Sequence, residues 1–135
     1  MRFALSALAL AALLPLATQA ASPTEIRESL AAAAKATPGF TGFSAERGQR
    51  FFEATHANDW SCASCHSKEP AATGKHATTG KEIAPLAPGA NPKRFTDPAK
   101  VEKWFGRNCN DVLKRPCTAQ EKGDVLTYVM SRGGR

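Results

Sequence analysis

The run Cys62-Ala63-Ser64-Cys65-His66 constrains this chain more than any other stretch. Two thiols with two residues between them and a histidine directly after form the attachment pattern for c-type haem. Each thiol adds across one vinyl group of the porphyrin, and the adjoining imidazole reaches the iron. Moving the histidine by one residue takes its ring off the metal. A structural zinc site would need about four ligands in a closed set, and no second C-x-x-C completes one. The other two cysteines, Cys109 and Cys117, stand apart with no histidine after either. The expectation is one covalent haem c, held by Cys62 and Cys65, with His66 as proximal ligand.

Residues 1–20 read as an export signal. Arg2 supplies a short positive region, Phe3 to Leu16 is rich in Ala and Leu, and Thr18-Gln19-Ala20 puts small residues at the cleavage positions. The apolar run is shorter than the ~20 residues a membrane span needs. Cleavage after Ala20 would leave a soluble periplasmic protein with no membrane span, in the compartment where haem is attached covalently. The remainder suits one small domain with a thin core, to which a buried porphyrin adds apolar surface. We divide it into an N-terminal helix and linker, 21–43, and a monohaem cytochrome domain, 44–135. The formal net charge of +6 loses one unit with Arg2. A moderately basic surface favours an acidic protein partner. Nucleic acid does not fit, because the basic residues are scattered with no aromatic-interleaved patch.

Helix signals recur along the chain. Ser22-Pro23-Thr24-Glu25 is a capping box with proline at the first helical position. Ile26, Leu30, Ala33 and Ala34 follow on one modestly apolar face suited to loose packing, and Pro38-Gly39 ends the helix. Ser44 opens a second helix through Glu46, Gly48, Phe51 and Phe52. A glycine four residues before an aromatic ring leaves a bare patch where another helix crosses closely. Placed shortly before the C-x-x-C-H run, the pair Gly48/Phe52 resembles the N-terminal helix of class I cytochromes c. Ser67 to Pro92 reads as a long polar loop, with one hydrophobic turn at Ile83-Ala84-Pro85-Leu86. Asp97-Pro98 restarts helix, with Val101, Trp104 and Phe105 on one face, and Gly106 is expected to stop it. Arg107 to Arg115 then reads as irregular or a short helix. Thr118-Ala119-Gln120-Glu121 is a second capping box. It leads a last helix that buries Val125, Leu126 and Val129, with Tyr128 at its flank and fraying at Gly133-Gly134. No stretch alternates like a strand. The expected fold is all-α: four to five helices around one haem, with the Gly48/Phe52 helix against the last one.

Function turns on the iron position opposite His66. An ordinary electron-transfer cytochrome c places a methionine there. After signal cleavage only Met130 remains, in the last turn of the C-terminal helix, where methionine serves core packing. The alternatives are His56, His76, a lysine, Asn108, Asn110, or no ligand at all. His56 shares the short loop of the haem cysteines and has difficulty reaching round the ring. His76 has the reach from the long loop. Asn108 follows the aromatic face that should line the haem, and it adjoins Cys109. In an oxidising compartment Cys109 and Cys117 are expected to pair as a disulfide, holding Asn108 rigid beside it.

Three segments carry a specific resemblance: Thr79-Gly80-Lys81-Glu82-Ile83-Ala84-Pro85-Leu86-Ala87-Pro88, Arg94-Phe95-Thr96-Asp97, and Val101-Glu102-Lys103-Trp104-Phe105-Gly106-Arg107-Asn108-Cys109-Asn110. From about Ser44 to Tyr128 the chain resembles the sphaeroides haem protein family. The resemblance implies that an asparagine, here Asn108, is the sixth ligand of the ferric haem, and that the neighbouring cysteines, here Cys109 and Cys117, form a disulfide. It also implies a high-spin ferrous form that binds O2 and NO, and a dihaem c-type cytochrome as electron donor. Trp104 and Phe105 would line the pocket, and Arg107 and Lys81 would pair with the haem propionates.

Two functional readings lead, and a sensing or structural module with no turnover stays open beside them. One is a periplasmic haem protein whose reduced iron opens a site for O2 or NO, with any reductase activity confined to the iron. The other is a simple electron shuttle with His66/His76 ligation and no gas binding. No general base or nucleophile constellation of side chains is present to support other catalysis.

Overall fold

Helix caps set the element boundaries. The computed structural model of the chain describes residues 20–133, so the export-signal reading of residues 1–20 falls almost wholly outside the described part. Helix α1 runs Pro23–Ala34, and both halves of its capping box form: Glu25 N–H donates to Ser22 Oγ at 3.2 Å and Ser22 N–H to Glu25 Oε2 at 2.6 Å. Helix α2, Ala45–Glu53, starts where Arg47 N–H donates to Ser44 Oγ. A single turn, α3, spans Ala63–His66. Helix α4, Pro98–Leu113, is capped by Asp97, and α5, Ala119–Met130, by Thr118 with Glu121 reaching back.

The core is the crossing of α1 and α2 on α5. Ile26, Leu30, Phe52, Val101, Val125, Leu126, Tyr128 and Val129 form one buried cluster. A Cβ on Gly48 would overlap the Asp124 carbonyl of α5, so glycine is what lets the two helices approach. A second cluster holds Val112, Leu113 and the Cys109–Cys117 disulfide, whose Cα atoms lie 5.6 Å apart, with Trp60 and Phe105 packed against it.

Four local expectations change. Helix α4 runs straight through Gly106, which faces open space, because the left-handed residue that terminates a helix is found at Lys114 (φ 59°) instead. The long loop contains a minimal antiparallel ladder, β1 (Gly74–Lys75) paired with β2 (Glu82–Ile83). The α1 helix does not pack loosely: Ile26 and Leu30 enter the main core, although Ala33 stays exposed. Tyr128 is not a flank residue. It is 2% exposed, with its hydroxyl donating to the Lys68 carbonyl.

Candidate haem site

The haem motif is held from both sides. Trp60 O accepts from His56 N–H, closing the turn that leads in, and Ser61 and Ser64 exchange hydrogen bonds that start α3. On the far side β1 lies directly on the motif, where a Cβ on Gly74 would overlap the Cys65 carbonyl. Cys65 Sγ accepts from Ala77 N–H at 3.4 Å. Cys62 and Cys65 take no part in a disulfide, so both sulfurs remain for the thioether bonds.

These residues open onto a cavity of about 760 Å³, within the range of cofactor pockets. Its walls come from α2 (Phe51, Phe52), the motif (Cys62, Cys65, His66), the β1–β2 hairpin and the face of α4. The site residues expected from the sequence converge here: Lys81, Trp104, Phe105, Arg107, Asn108 and Cys109 line it with His66. His76 lines it too. His56 does not. Its ring is turned into a separate shallow cleft beside Arg47 and Arg50, and its Nε2 lies 2.9 Å from the Phe51 carbonyl. Met130 packs on the main core and not in the cavity wall, and Asn110 is solvent-exposed.

The chemistry of the walls fits a haem. Nδ1 of His66 is buried with no hydrogen-bond partner among the described residues. Burial, with a contribution from the nearby Arg94 charge, pushes the His66 pKa down to about 4, which keeps the imidazole neutral and able to donate a lone pair to a metal. Burial also pushes the Cys62 thiol up to about 11. Much of the wall is aromatic and aliphatic, and Phe52 is centred 6.4 Å from the His66 ring.

Two residues at this site have no role assigned from the sequence. Arg94 is half-buried in the cavity wall and donates to the Pro85 carbonyl from Nε at 3.0 Å and to the Ala84 carbonyl from Nη2 at 2.6 Å. Phe95, beside it, holds φ +56°, an unusual conformation for a bulky residue. Both fall in a segment that carries the family resemblance, but nothing local assigns them a role, since a single arginine in a Pro-rich loop looks like any solvated cation.

Fold and cavity define a class: a small, mostly helical monohaem c-type cytochrome. The comparisons agree. A family profile described as "Domain of unknown function (DUF1924)" matches residues 38–129. The chain is 49% identical over 92 residues to the cytochrome c-type protein SHP of Cereibacter sphaeroides, covering 65% of this chain and 70% of that one. It is 46% identical over 82 residues to cytochrome c'' of Methylophilus methylotrophus, 61% of this chain and 57% of that one. Among solved structures, oxidised SHP, described as an oxygen-binding cytochrome c, superposes with a TM-score of 0.75 at 43% identity, over 84% of this chain and 99% of that one. Oxidised cytochrome c'' from Methylophilus methylotrophus superposes with a TM-score of 0.73 at 37% identity, over 82% and 94%. The chain belongs to the DUF1924 family and is a sphaeroides haem protein homologue, a haem electron-transfer protein with one covalent haem c.

Proposed function

We propose that this chain is an exported cytochrome whose reduction opens a ligand site. Cys62 and Cys65 carry the haem, His66 and Asn108 ligate the ferric iron, and the Asn108 position becomes available to O2 or NO when the iron is reduced. The observation that carries the reading is that His66 and Asn108 line one cavity, with Asn108 adjoining a disulfide-clamped helix end. An amide oxygen is a hard, neutral, weak ligand, tolerable to Fe(III) and poorly matched to softer Fe(II). Once released, the Asn108 side chain keeps two N–H donors for a diatomic ligand held in the cavity. The relatives support this behaviour: one is described as oxygen-binding, and the solution structure of cytochrome c'' addresses haem-ligand detachment. The signal reading of residues 1–20 and the disulfide support a periplasmic location for the mature protein, and a dihaem c-type cytochrome is the donor we infer.

Bis-histidine ligation by His76 is the second reading, because His76 shares the cavity wall. Its Nδ1 accepts from the N–H groups of both Thr78 and Thr79 at 3.2 Å. Ligation through Nε2 would need the proton on Nδ1 and would cost both bonds, which disfavours it. Visible spectra decide. We expect Asn108→Ala to turn the low-spin ferric spectrum high-spin while His76→Ala leaves it low-spin, and CO to bind the reduced wild type rapidly. A ferrous form that stays low-spin and ignores CO would sink the gas-binding reading.

A further inference from the structure

The cavity wall carries several cations, but only one is withdrawn from solvent. Lys81, Lys93, Lys100 and Arg107 are exposed, Lys100 lies 3.6 Å from Asp97, and Arg107 stacks 5.5 Å from the Trp104 ring centre. Arg94 differs on each count. It is partly buried, its two hydrogen bonds go to neutral carbonyls, and it has no carboxylate within ion-pair distance among the described residues. A partly desolvated charge without a counter-ion is costly, and burial draws the Arg94 pKa below its ordinary value. The backbone supports this placement. Phe95 holds a left-handed φ of +56°, a costly conformation for such a residue and one that concentrates at ligand sites. Nη1, on the third corner of the guanidinium, makes no hydrogen bond among the described residues.

We propose that Arg94 is the residue that receives a haem propionate, held in place by its bonds to the Ala84 and Pro85 carbonyls and serving to set the reduction potential. The carboxylate supplies the missing counter-charge, and a guanidinium presents a planar fork that suits it. This replaces the expectation that Arg107 and Lys81 do the pairing. A fixed cation at the haem edge favours the ferrous state, so its removal should favour the ferric one. The inference rests on haem attachment at Cys62 and Cys65, but not on Asn108 ligation or gas binding.

The test is a redox titration of the purified holoproteins of wild type, Arg94→Gln, Arg94→Lys and Lys93→Gln, with covalent haem content measured first. Normal covalent haem shows that the attachment reading holds whatever Arg94 does. We expect Arg94→Gln to shift the ferric/ferrous equilibrium about tenfold toward ferric, which is ~59 mV for a one-electron couple. Arg94→Lys should retain most of the wild-type potential, and Lys93→Gln nearly all of it. An unchanged potential in Arg94→Gln, or an equal shift in Lys93→Gln, would overturn the proposal. If Arg94→Gln yields no holoprotein, Arg94→Lys decides: a wild-type potential supports the charge-setting role, and a tenfold shift toward ferric overturns it.

Discussion

At position 124 a carboxylate lies buried where α5 crosses α2. Asp124 is 5% exposed and accepts from Ser44 N–H at 2.7 Å, from Arg47 Nε and Nη2 at 2.9 Å, and from Gln120 Nε2 at 3.0 Å. One side chain thus satisfies the amide at the α2 N-cap and joins two helices across 80 residues of sequence. Asp124→Ala strands the Ser44 amide and the Arg47 charge together. Because Arg47 is 42% exposed, water recovers part of that loss, and we expect destabilisation of about 2–3 kcal/mol, measured by denaturant unfolding of the holoprotein. A cost under about 0.5 kcal/mol would mean the network is incidental. Nothing near position 124 in the sequence announces this role. The caps were legible because Ser22, Ser44, Asp97 and Thr118 act on amides three residues away. Asp124 acts on Ser44 and Arg47 about 80 residues away, and Arg94 on carbonyls nine and ten residues back. No local helix pattern reads such spacings, and Asp124 looks locally like one more polar residue on a helix. The haem motif was legible for the opposite reason, since its chemistry is complete within five residues.

Among the elements, α4 departs most from its sequence reading, and the departure has a measurable consequence. Gly106 sits inside the helix with no protein atom near its missing Cβ and no positive φ. Glycine there costs about 1 kcal/mol relative to alanine. Gly106→Ala should raise stability by about 0.5–1 kcal/mol, visible as a higher melting temperature of the holoprotein. A fall would show that the position needs glycine for a reason other than backbone freedom. Local pattern could not separate a glycine that ends a helix from one that crosses it, because the stop depends on where a left-handed residue falls, and that residue is a lysine. The N-terminus of α5 carries a second consequence. Burial alone would raise the Glu121 pKa, but bonds from Arg115 at 2.7 and 2.8 Å and from the Thr118 amide at 2.8 Å outweigh it and hold the carboxyl below its ordinary value. A carboxylate depressed on folding contributes stability above its unfolded pKa of about 4.5 and loses it as pH falls through the lower folded value. Glu121→Gln should therefore lower the melting temperature at pH 7, with the gap to wild type closing toward pH 3. A gap independent of pH would assign the effect to packing alone.

Across the whole molecule, the main core and the disulfide cluster face each other over the cavity. The α1 and α2 helices each pack directly on α5, whereas the backbone of α4 makes no comparably close approach to them. It is tied in by Val101, by Phe105 and by its disulfide to Cys117. Filling the cavity adds apolar contacts to both walls at once, and burial of that kind is worth roughly 25 cal/mol per Å². We expect covalent haem to be the main joint between α4 and the other helices, beyond what Val101, Phe105 and the Glu102–Lys122 ion pair supply. In a purified Cys62→Ser/Cys65→Ser chain, which cannot attach haem, hydrogen exchange should separate the two units. Amides of α5 and α2 should keep measurable protection, while those of 98–108 exchange close to the rate of an open chain. Uniform protection along α4 would show that protein contacts alone position Asn108. Uniform loss throughout would show that the α1/α2/α5 core also depends on the haem. The expected graded result would tie ligand geometry to fold: if the haem orders the helix that carries Asn108, then on the proposed ligation a change at the iron can move that helix without disturbing the core behind it.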